Sequence, residues 1–464
     1  MSTEKNTKTQ NNKKCRTTNY ILAFALVVAL GVILVPLIQN LIPEPFDPHL
    51  GEGIIREAEM REQIYDRQEE FLRLDVDSNG YLSVDEYYSL EKLFQDLDTD
   101  GDERLSPEEA KYMMTFVEIP SGSFVMGTDT PIKFAGQEIK NMMPAHEVDI
   151  DGFKMATTEI TAAQYVLFLN SALEEGQIVV DLESNLDDIV NKYIRFTHPF
   201  KEQVVNGAPG TKYAGLPYIR LTHVSAIGHH QSHINGLLMA EHPMNRSWII
   251  YHPEANSFFV QPGYEDFPVA FVKYWGAMAF AEYYDLSLPT EAEWEYTASG
   301  GQQYDFGTSD GIADCQRANY GCYNAMGVPN FQGADTIDEF VGFRIAVGSY
   351  PSNPYGVYDL AGNVWEWTMG WFDTDFYKYV VDNGIKSNPI NLEGEEAPMD
   401  GSAKGGPAVP FSHDSHVLRG GNWNYGDEIL RAQYRMLAYS FISNDHIGMR
   451  VISRSPDVVF NGID

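Results

Sequence analysis

The sequence predicts an α+β protein of irregular, turn-rich build, preceded by a small all-α segment and one N-terminal transmembrane helix. Composition gives the first reason: 39 Gly, 24 Pro and 13% aromatics over 464 residues suit turns and large rings better than a helical bundle. The second is a change of pattern at Phe116, after which short β-like alternations and isolated helical stretches follow one another. The third is an uncharged run near the N-terminus. Charge excludes one class at once. With 66 acidic and 32 basic residues the net charge is −34 and no local basic patch offsets it. Such a surface repels phosphate backbones, so nucleic acid is not an expected partner.

Residues 1–18 read as a cytoplasmic tail and 19–42 as a signal anchor. Tyr20 to Ile38 carry no charge, and nineteen residues at helical rise cover about 28 Å, close to a bilayer's hydrocarbon thickness. Lys5, Lys8, Lys13, Lys14 and Arg16 precede the run, which keeps the tail inside and places the main domain outside, in a periplasm or at the cell surface. The rival reading is a cleaved signal peptide, but no small-x-small site follows the run. Cys15 lies before the run, so it is no lipoprotein cysteine. Pro43, Pro45 and Pro48 form a stiff exit linker. Cys315 and Cys322 either pair in an oxidising compartment or stand as two buried thiols.

A calcium-binding stalk is expected over 43–115. A helical stretch from Gly53 to Leu74 runs into DVDSNGYLSVDE. There Asp75, Asp77, Asn79, the Tyr81 carbonyl, Ser83 and Glu86 fill loop positions 1, 3, 5, 7, 9 and 12, with Gly80 at the sharp turn and Leu82 as apolar pin. A solvated acidic turn is the plainer alternative. The second loop, DTDGDERLSPEE, offers Asp98, Asp100, Asp102, the Arg104 carbonyl, Ser106 and Glu109, with Leu105 as pin. Glu103 stands where glycine is wanted, which adds strain. Together they form an EF-hand-like pair. Extracellular calcium, roughly millimolar, would keep such sites filled as struts.

Beyond Phe116, FVEIPSGSFVMG alternates and turns at Ser121-Gly122, a hairpin signal. Thr161 opens a helix to about Leu173, Ala270 to Tyr284 carries another, and Thr290 with Glu293 forms a capping box before Trp294. In order come IPSGSFVMG (119–127), TEIT and QY (158–165), GYEDFPVAFVKYWGAMAFAEYY (263–284), LPTEAEWEYTASGG (288–301), YGVYDLAGNVWEW (355–367), LRGGNW (418–423) and IGMRV (447–451). Residues 116–458 thereby resemble the formylglycine-generating-enzyme, or sulfatase-modifying-factor, family, with insertions near 176–255 and 373–415. The resemblance implies an irregular C-type-lectin-like fold stabilised by calcium. It implies one calcium site at Asp359, the carbonyls of Gly362 and Val364, and Glu366. A second would use Asn319, the Tyr320 carbonyl, Asp338 and the Phe340 carbonyl. The alternative for Glu366 is a hydrogen-bonded acid between two tryptophans.

The departure from the family matters as much. By resemblance, its founding enzymes oxidise a sulfatase cysteine with O₂ as oxidant and copper(I) held by two cysteines, the soft ligands that ion prefers. Counting from Gly420-Gly421, Tyr425 and Leu430 occupy those positions, and no cysteine follows Cys322. Copper held in the family's manner is therefore not expected. By resemblance Arg419, Trp423, Tyr425, Arg431, Tyr434 and Arg435 would line the old groove and suit a peptide or sugar, unless the arginines pair internally with carboxylates. His229 and His233, four apart in a histidine-rich insertion, would share a helix face and are the place to look for iron or another catalytic metal. Gly228 and Asn235-Gly236 interrupt any helix there, so surface or packing histidines are the plainer reading. The first reading is thus a membrane-anchored, calcium-binding domain that holds a protein or glycan partner. The second is a metal-dependent oxidoreductase with non-cysteine ligands, and the third a sulfatase-maturation factor or regulator.

Overall fold

Residues 91–107, 109–134, 136–184, 202–221, 247–321, 344–393 and 415–455 are described by this computed structural model, with short pieces of 73–83, 232–239 and 460–463. All belong to one unit, Glu57–Asp464. The run Tyr20–Ile38 lies outside the described residues, as do Asp75, Asp77, Glu86, His229, Cys322, Asp338 and Phe340. Among the described residues no helix is long and apolar enough to cross a membrane.

Helix α1 (Glu91–Leu97) leads through the second acidic loop to a 3-10 turn (Glu109–Tyr112). Six short strands follow: β1 (Phe116–Ile119), β2 (Gly122–Met126), β3 (Ile132–Phe134), β4 (Gln137–Ile139), β5 (His146–Ile150) and β6 (Phe153–Ala156). Next come α2 (Ala162–Glu174), the sheet β7 (Ile178–Ser184), β8 (Glu202–Gly207), β9 (Pro217–Arg220), and two hairpins, β10 (Ser232–Ile234) with β11 (Leu237–Met239) and β12 (Ile249–His252) with β13 (Ser257–Val260). Helices α3 (Tyr274–Tyr283) and α4 (Glu291–Ala298) precede β14 (Trp365–Trp371), α5 (Phe376–Asp382) and β15 (Pro389–Asn391). The chain closes with β16 (Ser415–Arg419), β17 (Met436–Tyr439), β18 (Ile447–Met449), β19 (Ile452–Arg454) and β20 (Asn461–Ile463).

Both capping boxes form. Thr161 Oγ1 accepts from Gln164 N at 3.2 Å while Gln164 Oε1 accepts from Thr161 N at 2.9 Å, and Thr290 with Glu293 repeats the exchange. Each pair satisfies two donors that a helix start leaves over. Helix α3 starts at Tyr274 rather than Ala270. Phe271 takes φ +61, its N–H bonds Asn444 O, and Val272 bridges Ile219, so this stretch is held extended before the helix begins.

The expected β1–β2 hairpin is corrected. β1 pairs β6 and β2 pairs β5, yet Ile119 faces Phe153 and Gly122 faces Ile150, so one antiparallel ladder passes through the bend without a slip. Pro120, which has no N–H, and Gly152 sit at the bend, where a Cβ on Gly152 would come within 3.3 Å of Ser121 N. The true hairpin is therefore 116–126 against 146–156. His233 lies on β10, a strand, so the helix face expected of it does not exist there.

The four-stranded sheet β17-β16-β14-β18 is antiparallel except for the parallel pair β14–β18. Its core holds Trp294, Trp367, Tyr165 and Phe168. Leu93, Phe94, Leu97, Leu105, Ala110 and Met113 belong to the same buried cluster. Packing thus runs without a seam across the expected boundary between 115 and 116.

Candidate functional site

Helix α4 carries three glutamates, and all eight of its residues are buried. Charge this deep must be neutralised in place. Arg435 grips Glu291 through two bonds, Nε to Oε2 at 2.6 Å and Nη2 to Oε1 at 2.9 Å. Arg454 grips Glu293 with two bonds of 2.6 Å. Arg419 pairs with Glu295 and donates to Tyr377 Oη at 3.2 Å. Burial, with Glu291 and Glu295 alongside, holds the Tyr377 phenol well above its ordinary pKa. On β14, Glu366 takes Arg450 Nη2 at 2.8 Å, Arg450 Nε at 3.0 Å and Trp294 Nε1 at 2.8 Å. The hydrogen-bonded reading of Glu366 describes this arrangement.

A cation at Asp359, Gly362, Val364 and Glu366 therefore meets a carboxylate whose oxygens are both engaged. Asp359, at φ +58, accepts from Gly348 N at 2.6 Å. Asn319, from the second expected set, donates to Asn363 Oδ1 at 3.1 Å, and its carbonyl takes Asn363 N at 2.8 Å. A further acid, Glu159, is wholly buried here and holds Asn363 Nδ2 at 2.6 Å and Val364 N at 3.1 Å. Burial, then Asp359 and Glu366, push its pKa well above the ordinary value. Burial likewise lifts Asp359 to about 6. These groups fix the turn.

Of the six groove residues, Arg419 and Arg435 are corrected to internal ion pairs, and Trp423 and Tyr434 are buried. Arg431 reaches the surface and meets Asp305 at 2.7 Å. Tyr425 is 39% exposed and packs against Phe134 on β3 with ring centroids 5.8 Å apart. Leu430 is 0% exposed, in a small cluster with Phe306, Ala318 and Ala361. A recess of about 570 Å³ opens between β3 and this segment, lined by Thr128, Thr130, Lys133, Asp427, Glu428 and Arg431 among others. Its size suits a small polar ligand or one or two side chains of a larger one.

The second acidic loop has a different character. Carboxylate oxygens of Asp98, Asp100 and Asp102 lie within 4.8 Å of one another. Asp98 takes Gly101 N at 2.8 Å and Glu103 N at 2.9 Å, and Asp102 takes Arg104 N at 3.0 Å. Glu103 adopts φ +63, the left-handed turn that position 6 demands. Glu109 accepts from Ser106 N and Thr99 N at 3.0 Å each, and the Ser106 backbone bond leads in lowering its pKa to about 2. Of the first loop, Tyr81 N bonds Asn79 Oδ1 at 2.9 Å. Leu82 exchanges both backbone bonds with Leu105, at 2.8 and 2.7 Å, so the two apolar pins lie side by side.

A family model for the sulfatase-modifying factor enzyme 1-like domain matches residues 102–455. The chain belongs to that family. It is 29% identical over 317 residues to the formylglycine-generating enzyme of Mus musculus, covering 65% of this chain and 68% of that enzyme. It is 36% identical over 178 residues to the serine/threonine-protein kinase pkn1 of Chlamydia pneumoniae, but spans only 22% of that kinase. The solved structure of PvdO from Pseudomonas aeruginosa is 21% identical, covering 74% of this chain and 96% of that one at a TM-score of 0.39.

Within this sulfatase-modifying-factor-type domain, sequence reading missed the work of Glu159, Glu291 and Glu295. Their signal was present: glutamates at 291 and 295 share a helix face with Trp294 between them, a pattern that fits burial better than a solvated surface.

Proposed function

We propose that this chain is a membrane-anchored, calcium-binding extracytoplasmic protein whose sulfatase-modifying-factor-type domain holds a protein or glycan partner without formylglycine chemistry. With Tyr425 and Leu430 taken, by resemblance, as the residues at the family's two cysteine positions, one observation supports the reading: Leu430 is wholly buried among Phe306, Ala318 and Ala361. A phenol and an isobutyl group cannot stand in for the dithiolate that copper(I) needs. The exposed Tyr425 ring offers binding area instead.

Calcium in the second loop would be held by Asp98, Asp100, Asp102, the Arg104 carbonyl and Glu109, with Ser106 alongside. Hard oxygen donors and converging carboxylates suit it. Bound there, the ion supplies the positive charge that those three aspartates lack. A disulfide at Cys315 favours an oxidising compartment, which agrees with an exported domain behind the Tyr20–Ile38 anchor.

The test is metal content of the chain purified without chelator, together with a sulfatase-peptide assay. Calcium without iron or copper, and an unchanged peptide cysteine, are expected. Stoichiometric iron or copper would sink the binding reading, and conversion of the peptide cysteine would overturn the assignment of Tyr425 and Leu430.

A further inference from the structure

We infer that a cation in the second acidic loop is felt by helices α2 and α3 of the main domain, because the loop's entrance is fastened to both and its exit to α2. This inference rests on the calcium reading above. Helix α1 ends at Leu97, immediately before Asp98. Its Asp96 carboxylate accepts from Ser171 Oγ on α2 at 2.9 Å and from Tyr284 Oη, just past α3, at 2.8 Å. One turn earlier Lys92 Nζ reaches Glu175 at 3.0 Å and lies 3.5 Å over the Tyr283 ring. Tyr283 Oη donates to the same Glu175 oxygen at 3.0 Å.

The exit of the loop is tied just as firmly. Ala110 and Met113 are buried in the main core, and the Met113 carbonyl accepts from Gln164 Nε2 at 3.1 Å. Gln164 is also the capping-box residue of α2. The loop's entrance therefore bonds the C-terminal turn of α2 and its exit bonds the N-terminal turn. Between those anchors stand three carboxylates within 4.8 Å. A divalent cation that draws them together changes the loop where its ends cannot move freely, so α2 and α3 respond. Coupling of this kind is reciprocal, so loss of the anchors also changes calcium affinity.

The experiment is amide hydrogen exchange on the full chain in detergent, with chelator and with about 1 mM calcium. Calcium is expected to slow exchange about tenfold in α2 and α3 as well as in 91–114. In the Asp98→Asn/Asp100→Asn variant that slowing disappears from α2 and α3. In the Ser171→Ala/Tyr284→Phe variant, which touches no acidic residue, calcium still slows the loop while its effect on α2 and α3 falls below about twofold. Slowing confined to the loop in the unaltered chain overturns this inference and leaves the calcium reading standing. No slowing anywhere removes both. Slowing of α2 that survives in the Asp98→Asn/Asp100→Asn variant places the cation elsewhere and overturns the inference.

Discussion

Helix α4 and the second acidic loop each gather three acids within a few residues, and they meet the charge in opposite ways. Glu291, Glu293 and Glu295 each have an arginine brought from far along the chain, at 435, 454 and 419. Asp98, Asp100 and Asp102 have only backbone N–H groups among the described residues. Buried acids had to be matched by the protein itself, since desolvated charge costs several kcal/mol or more when unpaired. Exposed ones could be left for a solute to match. Acidic density is therefore no guide to a site until its counter-charges are traced.

The largest expected effect comes from breaking one buried pair on one side only. Arg450→Met leaves Glu366 in the core with Trp294 Nε1 alone and should cost about 3–5 kcal/mol, read by urea unfolding, or abolish soluble protein. A loss below about 1 kcal/mol would mean that the buried acid finds another counter-charge and would blunt the contrast.

A middle effect tests the turn that neither arginine nor cation fully serves. Asp359 has its folded-state pKa raised to about 6, chiefly by burial, so its stability contribution is present in acid and lost as pH rises through about 6. Asp359→Asn should then stabilise by about 1–3 kcal/mol at pH 8 and by almost nothing near pH 4, in denaturant titrations with chelator. The sign should hold in calcium. Destabilisation on adding calcium would make Asp359 a ligand after all.

The smallest effect belongs to the surface. Arg431→Ala removes an exposed pair with Asp305 and should shift stability by under about 1 kcal/mol. It also changes the wall of the recess, so partner binding, measured by titration calorimetry, should respond more than unfolding does. Equal indifference in both would leave the recess without a role.

Local signals in the sequence were legible where local chemistry decides the outcome. Thr161 with Gln164 and Thr290 with Glu293 mark helix starts because the bonds are made within four residues. The left-handed turn at Glu103 was legible for the same reason. Long-range choices were not. Ser121-Gly122 bends a ladder instead of closing a hairpin because β5 and β6, thirty residues on, supply the partners. Arg419 and Arg435 read as groove residues until Glu295 and Glu291 were placed beside them. Arginine is equally at home in a binding groove and in a buried bidentate pair, and only the position of its acid separates the two.

The strand β19 has a consequence for how this protein is made. Ile452 pairs with Met155 on β6 and bridges Ser287, and Arg454 completes the pairing of Glu293. Nearly three hundred residues separate the ladder's two halves, so this part of the core cannot close until residues 452–454 have been synthesised. A nascent chain stopped at residue 446 should therefore be cleaved rapidly by protease, while one that includes residue 455 resists. Resistance at the shorter length would show that folding proceeds without β19. Until that strand arrives, the buried tryptophans of the core and Glu293, still without Arg454, depend on whatever accompanies the chain during synthesis.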